Sequence, residues 1–321
     1  MTNQTASPND EGGAAYEFGW QKFRLEVPES WEPGSLQGDD GKGYLRLDDP
    51  RMTRLELKWD RATRDNACQE ALDLYLKELD RAAARRKDPT EFRRPPKEFP
   101  LVSSWPEGMD GRAVRWSARV ECVAAFVSCR VCGRLTALQI LFPAGAADLG
   151  LARRVAGSFR DHLAQPDDAA LWSVYRMRFR APGRWRLKEH RFGPGYAQMQ
   201  FSGPGGLSAD VRRAGPAEII LKKHSLQDWY LGQFPRGLKI DPARIERTEV
   251  RGDAVLTVTR EPKGLLAAIR RRSHSPEMTL RGKALQGVAW HCPASNRLWA
   301  VNVYAADLDA ARDAEWRVQC H

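Results

Sequence analysis

The chain has 321 residues, of which 42% are hydrophobic and 29% charged, with six cysteines and a net charge of +10. That length suits two ordinary domains with a core each, and the composition is that of a soluble globular protein with no apolar run long enough for a bilayer. Six cysteines in so long a chain do not make a disulfide framework; a reducing compartment would keep them as thiols or metal ligands. The charge is uneven. Residues 1–170 hold 25 Lys/Arg against 27 Asp/Glu, a balance of −2, whereas 171–321 hold 26 against 14, a balance of +12. The second half therefore suits an acidic partner. Met1 to Ala15 is polar and lacks the layout of a secretory signal, so it reads as a disordered tail on a cytoplasmic protein.

Phe23, Leu25 and Val27 alternate with Arg24 and Glu26, the period of a strand with one buried face, and Pro28 ends it. Tyr44–Leu47 and Leu55–Trp59 give two further strands around Pro50. Asp65 or Asn66 can cap a helix whose Leu72, Tyr75, Leu76, Leu79 and Ala83 share one face, with Pro89 beyond its end. Phe92 to Pro106 is proline-rich and predicts irregular chain or an edge. Strands follow over 113–120 and 124–142, the latter interrupted by Cys129-Arg130-Val131-Cys132-Gly133, and a helix over 149–163 closes the half.

Residues 165–170 read as a linker between a first domain over 16–164 and a second over 171–321. The order then repeats, with strands over 175–181, 196–201 and 254–259, a short helix over 226–234 and a hairpin through Val288 and Leu298 to Tyr304. A C-terminal helix would carry Ala311 and Trp316. Met177-Arg178-Phe179-Arg180-Ala181-Pro182-Gly183-Arg184-Trp185 repeats the figure of Phe23–Trp31 at a spacing of 154, Pro28 matching Pro182 and Trp31 matching Trp185. Cys129-x4-Arg134-Leu135-x-Ala137 likewise matches Cys292-x4-Arg297-Leu298-x-Ala300, so the chain reads as a tandem duplication. The second half carries an insertion, 263–287, that includes Arg270, Arg271 and Arg272.

A strand of the form Phe-x-Leu-x-Val-Pro-x-x-Trp, then a hairpin, a helix, antiparallel strands and a closing helix, resembles the PsbP-like α/β/α fold. The resemblance covers both halves. It implies an α+β class, two tandem similar domains that are each an antiparallel sheet flanked by helices, and a fold used for docking to macromolecules. It brings no catalytic residues with it.

The Cys129-x2-Cys132-Gly133 turn looks like half of a zinc knuckle, and a structural zinc needs four ligands. By the repeat, His162, His291, Cys292, Cys320 and His321 are the candidates to complete it, the last four only if the two halves bring their ends together. The bland reading is unligated thiols, and a redox pair is a third. A catalytic Cys129–His162 pair is conceivable, but no motif with a mechanism behind it is present. Arg176, Arg178 and Arg180 alternate along one expected strand and, with Arg270–Arg272, are the candidate contacts to a partner. The expected function is non-catalytic binding or scaffolding of an acidic macromolecule, a protein rather than nucleic acid because no nucleic-acid motif accompanies the charge. A nucleic-acid-associated protein and a Cys/His-dependent zinc or thiol enzyme are the competing classes.

Overall fold

The computed structural model describes residues 14–62, 66–85, 94–102, 105–234, 238, 240–250, 253–261, 280, 282–314 and 316–319. The chain divides into two compact units, one reaching Ala164 and including Leu171–Arg176, the other taking Gln165–Ala170 and the chain from Met177. The expected Gln165–Ala170 linker thus runs into a strand that begins at Ala169. The insertion's Arg270, Arg271 and Arg272, the expected tail as far as residue 13, and Cys320 and His321 lie outside the described residues.

In the first unit, β1 (Ala15–Trp20) and β2 (Phe23–Pro28) form a hairpin. There follow β3 (Glu32–Gly38), β4 (Gly43–Asp48), β5 (Thr53–Arg61), α1 (Ala67–Arg85) and β6 (Arg94–Glu98). Next come β7 (Met109–Ser117), β8 (Val120–Cys129), β9 (Arg134–Pro143), α2 (Leu149–Ser158) and β10 (Ala169–Val174), which lies against β1. Strands β3 to β9 make one antiparallel sheet in the order β3-β4-β5-β9-β8-β7-β6, so the proline-rich segment does become an edge. One sheet face packs on α1 through Cys68, Leu72, Val114, Cys122, Ala124 and Phe126. In α1, Leu72 is buried and Tyr75, Leu76 and Leu79 half-buried, as the helical spacing requires; Ala83's side chain lies outside the described residues. The other sheet face is covered by the hairpin strand β2: Phe23 packs edge-on against Trp59 of β5 and stacks on Phe159.

The second unit holds β11 (Met177–Pro182), β12 (Arg186–Gly193), β13 (Tyr196–Ser202), β14 (Ser208–Ala214), α3 (Ala217–Leu221) and α4 (Leu226–Leu231). After these come β15 (Ile245–Val250), β16 (Asp253–Arg260), β17 (Ala284–Cys292), β18 (Arg297–Ala305), α5 (Leu308–Arg312) and β19 (Arg317–Gln319). Its sheet runs β12-β13-β14-β18-β17-β16-β15, the order of the first unit element for element. Trp31 and Trp185 each donate their backbone N–H to the carbonyl of the matching proline at 3.0 Å. No helix among the described residues is long and apolar enough to cross a membrane.

The expected α+β class with flanking helices is wrong. The described residues are 52% strand and 19% helix in three sheets, a β-rich fold. The physical reason is visible in each unit: a helix covers one face of the wide sheet, but strands and aromatic side chains cover the other. In the second unit that face carries Phe179 against Phe201, with Trp316 packed on Phe179, Phe201 and Trp185. Trp316 is therefore not helical; α5 ends at Arg312, and the chain returns as β19 beside β11. The helix expected over 149–163 stops at Ser158, with Phe159 already extended.

One polar tie between helix and sheet recurs, half-buried in the first unit and buried in the second, and has no sequence signature. In the first unit, Tyr75 of α1 donates its hydroxyl to Gln139 Oε1 at 2.9 Å, and Gln139 lies opposite Glu56 across β5 and β9. In the second, Tyr230 of α4 donates to Asn302 Oδ1 at 2.6 Å, and Asn302 lies opposite Asp210 across β14 and β18. Asn302 Nδ2 reaches Asp210 at 3.3 Å, and Asp210 holds Arg212 through both carboxylate oxygens. A Cβ on Gly287 would stand 1.9 Å from the Tyr230 hydroxyl, so only glycine fits beside it. Replacing Tyr230 by Phe should cost about 1–3 kcal/mol, because it leaves the Asn302 carbonyl buried without a partner. A melting curve within error of wild type would show that this tie is not what holds α4 to the sheet.

Candidate metal centre

The turn joining β8 to β9 has four residues, Arg130 to Gly133. Cys129 ends β8 with its side chain buried. Gly133 occupies the left-handed region (φ +67°), where a side chain would be strained, and its N–H returns to the Cys129 carbonyl at 3.0 Å. This closes the loop tightly enough to bring Cys132 back toward Cys129. The third member comes from the chain after α2. Arg24 and Arg160 exchange two backbone hydrogen bonds (2.9 and 2.8 Å), which lays that chain beside β2 and delivers Asp161 to the turn.

One sulfur from each of Cys129 and Cys132 and one oxygen of Asp161 lie within 4.8 Å of one another, a group that can hold a metal ion. Sulfurs bound at about 2.3 Å to a tetrahedral ion stand roughly 3.8 Å apart, so small rotations suffice to close on one. The Cys132 thiol donates to Asp161 Oδ2 at 2.8 Å. The other oxygen, Oδ1, is buried without a hydrogen-bond partner on a side chain only 2% exposed. Cys132 is exposed as a residue, yet burial around its sulfur, the hydrogen bond to Asp161 and that carboxylate's charge all push its thiol well above the ordinary range. Beneath the turn, Arg134 is buried. It donates to the main-chain carbonyls of Asp161 and Asp40 and stacks over Phe23, its guanidinium carbon 4.3 Å from the ring centre.

Of the residues singled out in the sequence, Cys129 and Cys132 come together; His162 has Nε2 3.6 Å from Asp161 Oδ1 but, among the described residues, is not a member of the metal-capable group. His291 and Cys292 belong to the second unit and, among the described residues, join no metal-capable group. Asp161 was missed; an acid adjoining His162 after a helix is a weak signal, and its place is set by the Arg24–Arg160 bridge and by Arg134 donating to its main-chain carbonyl. The Cys129–His162 nucleophile–base pair is not formed: His162 sits against Asp161, and Cys132 is held as a thiol rather than activated as a thiolate.

The arginine stripe is corrected too. Tyr175 and Arg176 form a two-residue break with φ of 49° and 60°, so Arg176 leaves the strand face that Arg178 and Arg180 share. Arg176 is almost fully exposed, with Glu32 at 3.8 Å. The sequence places three like charges on one face; the structure leaves two.

No family model matches this chain, and no curated protein matches it.

The Cys132–Asp161 contact has a measurable signature. Asp161→Asn removes the charge that raises the thiol, so Cys132 should alkylate several-fold faster with iodoacetamide at pH 8 than in the wild type, read by peptide mass spectrometry. An unchanged rate would mean that burial alone sets its reactivity.

Proposed function

We propose that this chain is a non-catalytic binding protein whose first unit is fastened by one zinc ion through Cys129, Cys132 and Asp161. The observation that carries the reading is the convergence of two thiols and a buried carboxylate whose Oδ1 has no hydrogen-bond partner. The donor set selects the metal class. Two thiolates exclude calcium and magnesium, which take oxygen, and the carboxylate distinguishes the set from all-sulfur copper(I) or iron–sulfur sites. The raised Cys132 thiol supports a structural role rather than nucleophilic catalysis. Protein purified without added metal should contain close to one equivalent of zinc. Cys132→Ser should lose it and melt several degrees lower, because a structural ion contributes folding free energy. Metal-free protein whose melting curve ignores added zinc would end this reading.

The second unit supplies the docking half of the proposal. Its sheet ends at β12, on which Arg186, Lys188 and Arg191 are exposed, against one acidic residue, Glu189, paired with Arg191 at 2.7 Å. This edge, with the +12 balance of residues 171–321, favours an acidic macromolecule. Each exposed contact contributes only about 0.2–1 kcal/mol, so several must act together. Arg186→Glu with Lys188→Glu should weaken binding to poly-glutamate and flatten its salt dependence at unchanged melting temperature. Binding to duplex DNA with none to poly-glutamate would favour the nucleic-acid reading instead.

A further inference from the structure

Each wide sheet has two edges, and three of the four are blunted against pairing with another chain. β3 breaks register between Pro33 and Ser35, and β12 between Leu187 and Glu189. β6 carries two prolines and a register shift between Arg94 and Lys97. β15 has none of these devices. It pairs with β16 in unbroken register from Ile245–Val258 to Val250–Asp253, and among the described residues no strand pairs with its other side. Glu246 to Val250 are all exposed. We propose that β15 is the contact between two copies of this chain, joined antiparallel about a twofold axis at Thr248 so that one sheet runs through both second units. The inference goes beyond the binding reading and depends neither on zinc nor on β12.

The main chain limits how a second strand can join. Val250 and Asp253 close the β15–β16 hairpin with two residues between them, the spacing whose closing pair exchanges main-chain hydrogen bonds. Such pairs alternate along an antiparallel ladder, so Val250, Thr248 and Glu246 turn their N–H and C=O groups toward β16. Ile245, Arg247 and Glu249 turn theirs to the open edge. A second copy has to set outward residues opposite outward residues, which requires the twofold axis to fall at a residue rather than between two. An axis at Glu246, Arg247 or Glu249 puts that charge opposite its own copy, which is unfavourable. An axis at either end of the strand leaves almost no overlap. The axis at Thr248 puts Arg247 opposite Glu249 of the second copy, and symmetry makes the pair twice.

The side chains fit the same register. Arg247 donates to Gln227 Oε1 of α4 at 2.6 Å, which places its guanidinium on the helix side of the sheet. Ile245 packs against the core cluster that holds Trp229 and Tyr230 of α4, on that same side. Strand alternation puts Glu249 there too, so each Arg247 meets a Glu249 on one face. On the other face Thr248 meets Thr248 as a non-hydrogen-bonded pair, the type with side chains closest. Val250, an apolar side chain 53% exposed, lies opposite the methylene stem of Glu246. Charges on an edge strand ordinarily keep it single. Here their order, Glu-Arg-Thr-Glu, matches itself on rotation.

The test uses the full chain under reducing conditions, with sedimentation equilibrium reading the monomer–dimer balance. The wild type should dimerise as concentration rises, and less readily at high salt. Arg247→Glu and Glu249→Arg each set like charges opposite one another twice, so each alone should weaken dimerisation by about tenfold or more. Mixing the two variants should restore it, because each supplies the charge the other lacks. A misfolded strand would not recover on mixing, so rescue separates charge pairing from structural damage. Thr248→Cys, oxidised with diamide, should give a disulfide-linked dimer, since the Cα atoms of a non-hydrogen-bonded pair stand about 4.5 Å apart. Val250→Cys should cross-link no more than the wild type. A wild type that stays monomeric at the highest concentration reached would overturn the proposal and leave the edge to a strand from another protein. A dimer that neither charge variant weakens would put the interface elsewhere and overturn it too. Cross-linking of Val250→Cys in preference to Thr248→Cys would overturn the register.

Discussion

A seven-stranded antiparallel sheet that is apolar on both faces has to be covered twice, and each unit is arranged around that requirement. Along β9, Leu138, Ile140 and Phe142 project to one side and Gln139 and Leu141 to the other, and the two sets need different covers. The helix takes one set. For the other, the first unit sends its opening hairpin strand across, burying Phe23, Leu25 and Val27. The reversal before that strand is a two-residue turn with both φ values positive, Gln21 (50°) and Lys22 (69°), a twist matched to antiparallel strands. Tyr175 and Arg176, 154 positions later, adopt the same conformation without a glycine. Non-glycine residues in this region cost about 1–2 kcal/mol each, so the buried strand that follows has to outweigh them.

That arrangement explains which parts of the fold were legible in the sequence. Strands with one buried face, β2, β4, β5 and β11, alternate apolar and polar residues, and α1 shows its stripe. Of the missed strands, β1 does alternate Tyr16, Phe18 and Trp20 with Glu17 and Gly19, but others carry no such pattern. In β3 the sequence is Glu-Pro-Gly-Ser-Leu-Gln-Gly, while β12 and β15 are largely exposed and charged, so pairing with a neighbour, not burial, keeps them extended. The β-rich class was misjudged for a related reason. Sequence periodicity shows that a face is buried, but not whether a helix or another strand buries it. The tyrosine–amide ties were illegible because Tyr75 meets Gln139, and Tyr230 meets Asn302, across more than sixty positions. At the candidate site the Cys-x2-Cys turn was visible as a local motif, whereas Asp161 is 29 positions beyond Cys132 and arrives through the bridge to β2 and the Arg134 hydrogen bond to its carbonyl.

Two units of the same strand order have settled the same local problem differently. The turn between β17 and β18 is also four residues long, and Asn296 occupies its left-handed position (φ 51°) as Gly133 does in the first unit. Its interior is Pro-Ala-Ser-Asn, with Ser295 where Cys132 would stand. Asn296 uses its main-chain and side-chain oxygens to accept from Ala217 and Glu218 at the start of α3, which fixes the turn to the helix. The first unit has no such helix start at its turn; α1 lies on the opposite sheet face. Thiols and a carboxylate occupy the place where the second unit uses hydrogen bonds, and the shorter pairing of the chain after α2 with β2 is the structural difference that accompanies them.

The proton on Cys132 shows how two thiols and a carboxylate can be held together without an ion. Two thiolates and a carboxylate brought together without a cation would repel at close range, and their burial would make the repulsion severe. Holding the proton on sulfur and donating it to Asp161 Oδ2 removes one charge and supplies an attraction at the same contact. The same burial and charge that push the thiol up also make it a poor nucleophile, so the assembled pair is protected from adventitious oxidation. A dication is the species able to displace that proton, because it offers the sulfur and the carboxylate a partner of higher charge in the same position. On the proposed zinc reading, proton and metal are alternative occupants of one contact. The Gly133 turn, Arg134 and the Arg24–Arg160 bridge hold that contact together for either of them.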